Sequence, residues 1–151
     1  MKQVLLIISI LLIVSCAGPS KTGKEARANA HQRMDVVNAD LAAQQAKQQF
    51  EVGQLDTALG TIEAAIARYS KNGEYHLLRG RILLEQHRLD AAFHSLQEAC
   101  KHSPELAEPH YFLGVLHQRW GEDEKAIFEY KQARENDPLH PQYLLATAES
   151  F

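Results

Sequence analysis

The stretch GEYHLLRGRILLEQHRLDAAFHSLQEACKHSPEL, residues 73–106, and its successor AEPHYFLGVLHQRWGEDEKAIFEYKQARENDPLH, residues 107–140, decide the fold. Laid over one another they set Gly80 on Gly114, Ala92 on Ala126, Ala99 on Ala133 and Pro104 on Pro138, each pair 34 residues apart with no insertion. The same step backwards reaches Ala46, Ala58 and Ala65, and forwards it reaches Ala148. Small residues coincide by chance in an alanine-rich chain, but one register joining four kinds of position does not arise that way. A fixed period of this length marks helical units that bury their apolar faces only by stacking on neighbours.

Within each period a small residue falls in the middle of a first helix (A). An alanine comes early in a second helix (B), with a large apolar residue four positions on, another alanine three further, and a proline beyond the helix end. Residues 73–106 supply Gly80, Ala92, Leu96, Ala99 and Pro104, and residues 107–140 supply Gly114, Ala126, Tyr130, Ala133 and Pro138. The earlier copy supplies Ala46, Ala58, Ile62 and Ala65, with Ser70 in place of the proline. This arrangement resembles the tetratricopeptide repeat. The resemblance implies an all-α superhelix of about three helix-turn-helix repeats, at 39–72, 73–106 and 107–140, and a capping or partial helix over 141–151. The whole repeat domain then covers 31–151, with a long first helix starting near His31. Glycine and alanine permit close approach of helices A and B. Asp56 and Asp90, at the turns between them, suit the role of caps for helix B. Pro104 and Pro138 stop helix B from continuing.

Upstream of the repeats the character changes. Met1-Lys2-Gln3 is a short basic start, and Val4 to Val14 is apolar apart from Ser9. As a helix that run covers roughly 16 Å, against the about 30 Å of a bilayer core, so it reads as a secretory signal over 1–15. Ile13-Val14-Ser15-Cys16 then resembles the lipobox of bacterial lipoproteins. The resemblance implies cleavage before Cys16 and acylation of that cysteine, which becomes the membrane anchor. Ala17 in place of aspartate implies, in a Gram-negative cell, the periplasmic face of the outer membrane rather than the inner membrane. Residues 16–30, with Gly18-Pro19-Ser20 and few large apolar side chains, read as a lipidated cysteine followed by a flexible linker.

Composition narrows the function. A formal net charge of −3 and 7% aromatic residues leave no footprint for nucleic acid. Two cysteines are present; with Cys16 acylated, Cys100 has no partner and reads as a small core residue. Eight histidines raise a metal reading. Yet His87 and His94, like His110 and His117, are spaced by seven rather than by the four of a zinc helix. His76 and His110, one period apart, occupy packing positions. No GxSxG, phosphate-loop or GxGxxG motif occurs. No catalytic residue, metal or cofactor is expected, and the chain reads as a binding protein rather than an enzyme.

In the family that the repeats resemble, helix A lines a concave groove. The corresponding positions here are Asp40, Ala43, Lys47 and Phe50, then Glu74, Leu77, Arg81 and Leu84, then Glu108, Tyr111, Val115 and Gln118. Aromatic residues and arginine are the usual interface anchors, which singles out Phe50, Lys47, Leu77, Arg81 and Tyr111 as partner-binding residues. Some members grip a C-terminal carboxylate with lysine and asparagine; Ala43 and Leu77 stand where that clamp wants polar or basic residues. The expectation is a membrane-anchored protein-interaction scaffold or assembly factor of the bacterial envelope, similar to the repeat lipoproteins of pilus or envelope-complex assembly. Its partner is a protein or peptide. A periplasmic metal- or small-ligand-binding module is the alternative, and so is a module that self-associates through the C-terminal helix ending at Phe151.

Overall fold

The computed structural model describes residues 21–149. The signal segment, the lipobox, Cys16 and the final Ser150 and Phe151 lie outside the described residues. Seven helices follow one another among those residues: α1 Lys21–Glu51, α2 Leu55–Arg68, α3 Gly73–Glu85, α4 Leu89–His102, α5 Ala107–Arg119, α6 Asp123–Asn136 and α7 Pro141–Glu149. The chain divides into two units at Asp35, and the second, Val36–Phe151, holds the helical pairs. None of the described helices is long and apolar enough to cross a membrane.

The turn inside each pair is built the same way three times. Gly53 N–H bonds to Phe50 C=O and Gln54 N–H to Gln49 C=O, at 2.9 and 2.8 Å. His87 and Arg88 repeat this on Leu84 and Leu83, and Gly121 and Glu122 repeat it on Gln118 and His117. This double bond closes a helix only if the residue just past its end is left-handed. Gly53, His87 and Gly121 have φ of 78°, 57° and 73°. Each B helix then starts within two residues, so A and B run back against one another. Two positions reached by the 34-residue step carry glycine, which bears no steric cost there, and the third carries histidine.

The A and B helices meet at the small residues. A Cβ added to Gly80 would come within 2.9 Å of Leu96 Cδ2, and one added to Gly114 within 2.5 Å of Tyr130 Cε1. Leu96 is fully buried and Tyr130 nearly so, lying where the glycine side chains would have been. Ala58, Ala65, Ala92, Ala99, Ala126 and Ala133 are all buried on the B helices. Two apolar clusters result. Ile62, Tyr75, Leu78 and Ile82 close around Ala39 and Ala46, and Leu77, Leu96, Leu113 and Leu116 close the next layer. Polar ties join the layers. Arg79 Nε donates to Glu63 at 3.1 Å and its Nη1 donates to the buried Ser95 hydroxyl at 2.7 Å. Asn136 donates to Pro104 C=O at 2.8 Å.

Two local expectations are corrected. First, α1 begins at Lys21, so 21–30 is helix and not flexible linker. Lys24-Glu25-Ala26-Arg27-Ala28 is made of strong helix formers, and a helix can form without large apolar side chains to bury. Second, Asp56 and Asp90 are not caps. The N-cap positions are Gln54 and Arg88, neither with a side-chain cap bond, and both aspartates lie in the first helical turn. There their charge still suits the helix dipole, while Asp56 accepts a hydrogen bond from Gln86 Nε2 at 2.9 Å. The left-handed closure leaves too little chain between helices for the aspartate to precede the first turn. Pro104 and Pro138 do fall just beyond α4 and α6, as their stop role requires.

The exposed His87 pays the left-handed strain that glycine avoids at 53 and 121. His87→Gly is therefore expected to stabilise the protein by about 0.5–1 kcal/mol, read as a higher urea midpoint at an unchanged slope. A lower midpoint would contradict the turn assignment.

Candidate partner-binding groove

Helices α1, α3 and α5 stand side by side as the A helices of successive pairs, and their shared face forms a groove enclosing about 640 Å³. Its wall and floor include Asp40, Ala43 and Lys47 from α1, Glu74, Leu77 and Arg81 from α3, and Glu108 from α5. These are residues the 34-residue step relates to one another, so the groove follows directly from stacking like on like.

The five partner-binding candidates do not share one role. Lys47 is exposed and has no polar partner among the described residues. Arg81 is engaged on both sides: its Nη1 lies 3.3 Å from Glu108 Oε1, and its guanidinium sits 5.2 Å from the centre of the Phe50 ring. Phe50 thus positions Arg81 by a cation–π contact instead of lining the groove. Leu77 lines the groove but is only 8% exposed, so it is floor rather than anchor. Tyr111 does not line it. Its ring packs on Tyr143 at 5.3 Å, Phe112 at 5.5 Å and Tyr130 at 6.0 Å. Tyr143 of α7 reaches the groove in its place. Cys16 lies outside the described residues.

Sequence reading singled out none of Tyr143, Asn72 or Leu106, all of which line the groove. Tyr143 stands two periods after Tyr75, but Pro109 occupies the position between them, so the sequence shows no row of tyrosines there. Asn72 caps α3, accepting from Glu74 N–H at 2.9 Å. The Tyr75 hydroxyl donates to Asp40, and burial first, then this bond, pushes the Tyr75 phenol well above its ordinary value. Burial likewise pushes the Tyr143 phenol up. Both phenols stay neutral in the physiological range.

Several histidines are tied to neighbouring groups. His76 Nε2 meets Ser70 C=O at 2.8 Å and its ring stacks on His102 at 5.4 Å. His117 Nδ1 lies 2.6 Å from Glu122, whose carboxyl is held below its ordinary range by Lys125 and then by His117. No group of three histidine, cysteine or acidic residues is placed to hold a metal ion among the described residues. On α7, Leu144 and Leu145 are exposed.

Comparison with known proteins agrees with this geometry. Residues 43–108 match the tetratricopeptide-repeat family model. The fold is similar to that of the tetratricopeptide-repeat domain of OM64 from Arabidopsis, at a TM-score of 0.72 and 14% identity over 77% of this chain and 96% of that one. The first such domain of Spaghetti, bound to the HSP90 peptide SRMEEVD, aligns at a TM-score of 0.72 and 13% identity over 76% of this chain and 91% of that one. The Yersinia enterocolitica type III secretion chaperone SycD, in complex with a peptide of the translocator YopD, aligns at 0.64 and 15% identity over 74% of this chain and 85% of that one. No curated protein matches the sequence. The described helical pairs thus have the tetratricopeptide-repeat superhelical fold.

One pairing holds α5, the groove's third helix, to its own B helix. His110 Nδ1 lies 2.7 Å from Glu129 Oε2. Its imidazole is pushed up from 6.5 to about 9, by Cys100 first and then by Glu129, against the opposing effect of burial. Because the folded value is raised, the contribution is complete below about 6.5 and is lost as pH rises through about 9. His110→Gln is expected to lower Tm by a few degrees at pH 6, and its deficit against the wild type should shrink steadily towards pH 10. A deficit independent of pH would show that the imidazolium contributes nothing.

Proposed function

We propose that this chain is a lipid-anchored protein-interaction scaffold of the bacterial cell envelope, capturing a partner protein or peptide in the groove of its A helices. The observation that carries the binding half is the groove itself. It combines an apolar floor (Leu77, Leu78, Leu106) with charged side chains at its walls, one of which, Lys47, is exposed and unengaged. The peptide complexes of Spaghetti and SycD support a peptide as the type of occupant. The anchoring half is supported by Ile13-Val14-Ser15-Cys16 and the apolar run before it. Acylation at more than one position would hold the chain stably at a membrane, and the outer membrane's periplasmic face is the location Ala17 favours in a Gram-negative cell. Tethering raises the effective concentration of the groove for partners at that surface.

Arg81 is paired with Glu108, so reversing its charge would set two carboxylates together and disturb the fold. Ala43→Trp, which fills the groove without changing its charge, is the better probe. Affinity capture from detergent-solubilised host membranes should yield a specific protein with the wild type and lose it with this variant, while the variant's circular dichroism stays unchanged. Undiminished capture would remove the groove from the reading. Separately, Cys16→Ser should abolish incorporation of a labelled fatty acid and release the protein from the membrane fraction. Retained label would remove Cys16 as the anchor.

A further inference from the structure

The chemistry of the groove selects among peptides, and on the reading that the groove is the binding site, we infer that its occupant is a segment carrying a cationic side chain beside apolar ones, not an acidic tail. Charge is arranged in two rows. Asp40, Glu74 and Glu108 recur at one level of the three A helices, 34 residues apart. Lys47 and Arg81 recur seven residues further along, about 10 Å up the helix axis. In α5 the basic row ends, because Val115 occupies that place. Three acids therefore face two bases.

Existing contacts cancel one acid against one base and leave the excess of one acid in place. Arg81 is met by Glu108 at 3.3 Å. The Asp40 carboxylate accepts the Tyr75 hydroxyl, which donates no charge in return. Glu74 is exposed, and no side chain pairs with its carboxylate among the described residues. It also borders an adjoining recess that contains Glu105 and Lys71. An arriving cation finds Glu74 open and Asp40 uncompensated. An arriving carboxylate finds only Lys47, because reaching Arg81 requires breaking the bond to Glu108. Ala43 and Leu77, which also line the groove, carry no positive charge. The apolar floor supplies area for aliphatic or aromatic side chains, and the neutral Tyr75 and Tyr143 add no positive charge.

The test is selection from a random-peptide phage library on the full-length protein in non-ionic detergent. Ala43→Trp and Ala107→Trp, which fill the groove without changing its charge, serve as counter-selections after their helicity is checked. Peptides rich in lysine or arginine with apolar neighbours are expected, retained by the wild type and lost by whichever filled variants fold. Glu74→Gln should weaken the best such peptide about fivefold, and added salt should weaken it further. The peptide SRMEEVD should bind more weakly than any of them. Selected peptides that are acidic, yet lost in the filled variants, would overturn the charge assignment and leave the groove standing. Selected peptides that bind the filled variants equally would overturn both.

Discussion

The contact between a small residue in one helix and a large side chain in the next governs the array. Gly80 lies beneath Leu96, and Gly114 beneath Tyr130, at distances that leave no room for a Cβ. That approach sets how closely helix A lies on helix B. The left-handed residue at 53, 87 and 121 then reverses the chain quickly enough for the two helices to meet there. Because both features recur with one period, every pair has the same geometry, and stacking identical pairs is what generates a superhelix rather than an irregular bundle.

The groove is a consequence of that repetition. The A helices present equivalent positions side by side, so a residue type repeated along the sequence becomes a row in space. The acidic row of Asp40, Glu74 and Glu108 and the shorter basic row of Lys47 and Arg81 arise in this way. Their chemistry is then edited by neighbours at other positions. Phe50 and Glu108 hold Arg81 between them, and Tyr75 occupies the Asp40 carboxylate. What the groove offers a partner is the remainder after these internal contacts, and that remainder keeps one acid in excess over its bases.

The polar groups inside the array follow the same economy. Histidines at 76, 110 and 117 are held by a carbonyl or a carboxylate within 2.8 Å, as buried polar groups must be. The arginine at 79 links three helices through Glu63 and Ser95. Rigidity at these joints keeps the rows of the groove in register.

Sequence alone determined the helical class, the period, the small residues at the helix crossing and the prolines that end α4 and α6. Each of these is a local or periodic property, visible wherever backbone sterics or a repeated volume demands a particular residue. It misjudged the start of α1, where helix formers with little apolar content resemble a linker, and it treated the aspartates after the turns as caps. Only the tertiary structure decided which groove residues remain available. Leu77 is floor, Phe50 braces Arg81, Tyr111 lies in an aromatic cluster and Tyr143 takes its place at the wall. The reason is physical. Periodicity assigns a side chain to a face of its helix, but its freedom there depends on which oppositely charged, aromatic or hydroxyl groups other helices bring within contact distance, and those partners come from positions that share no common spacing.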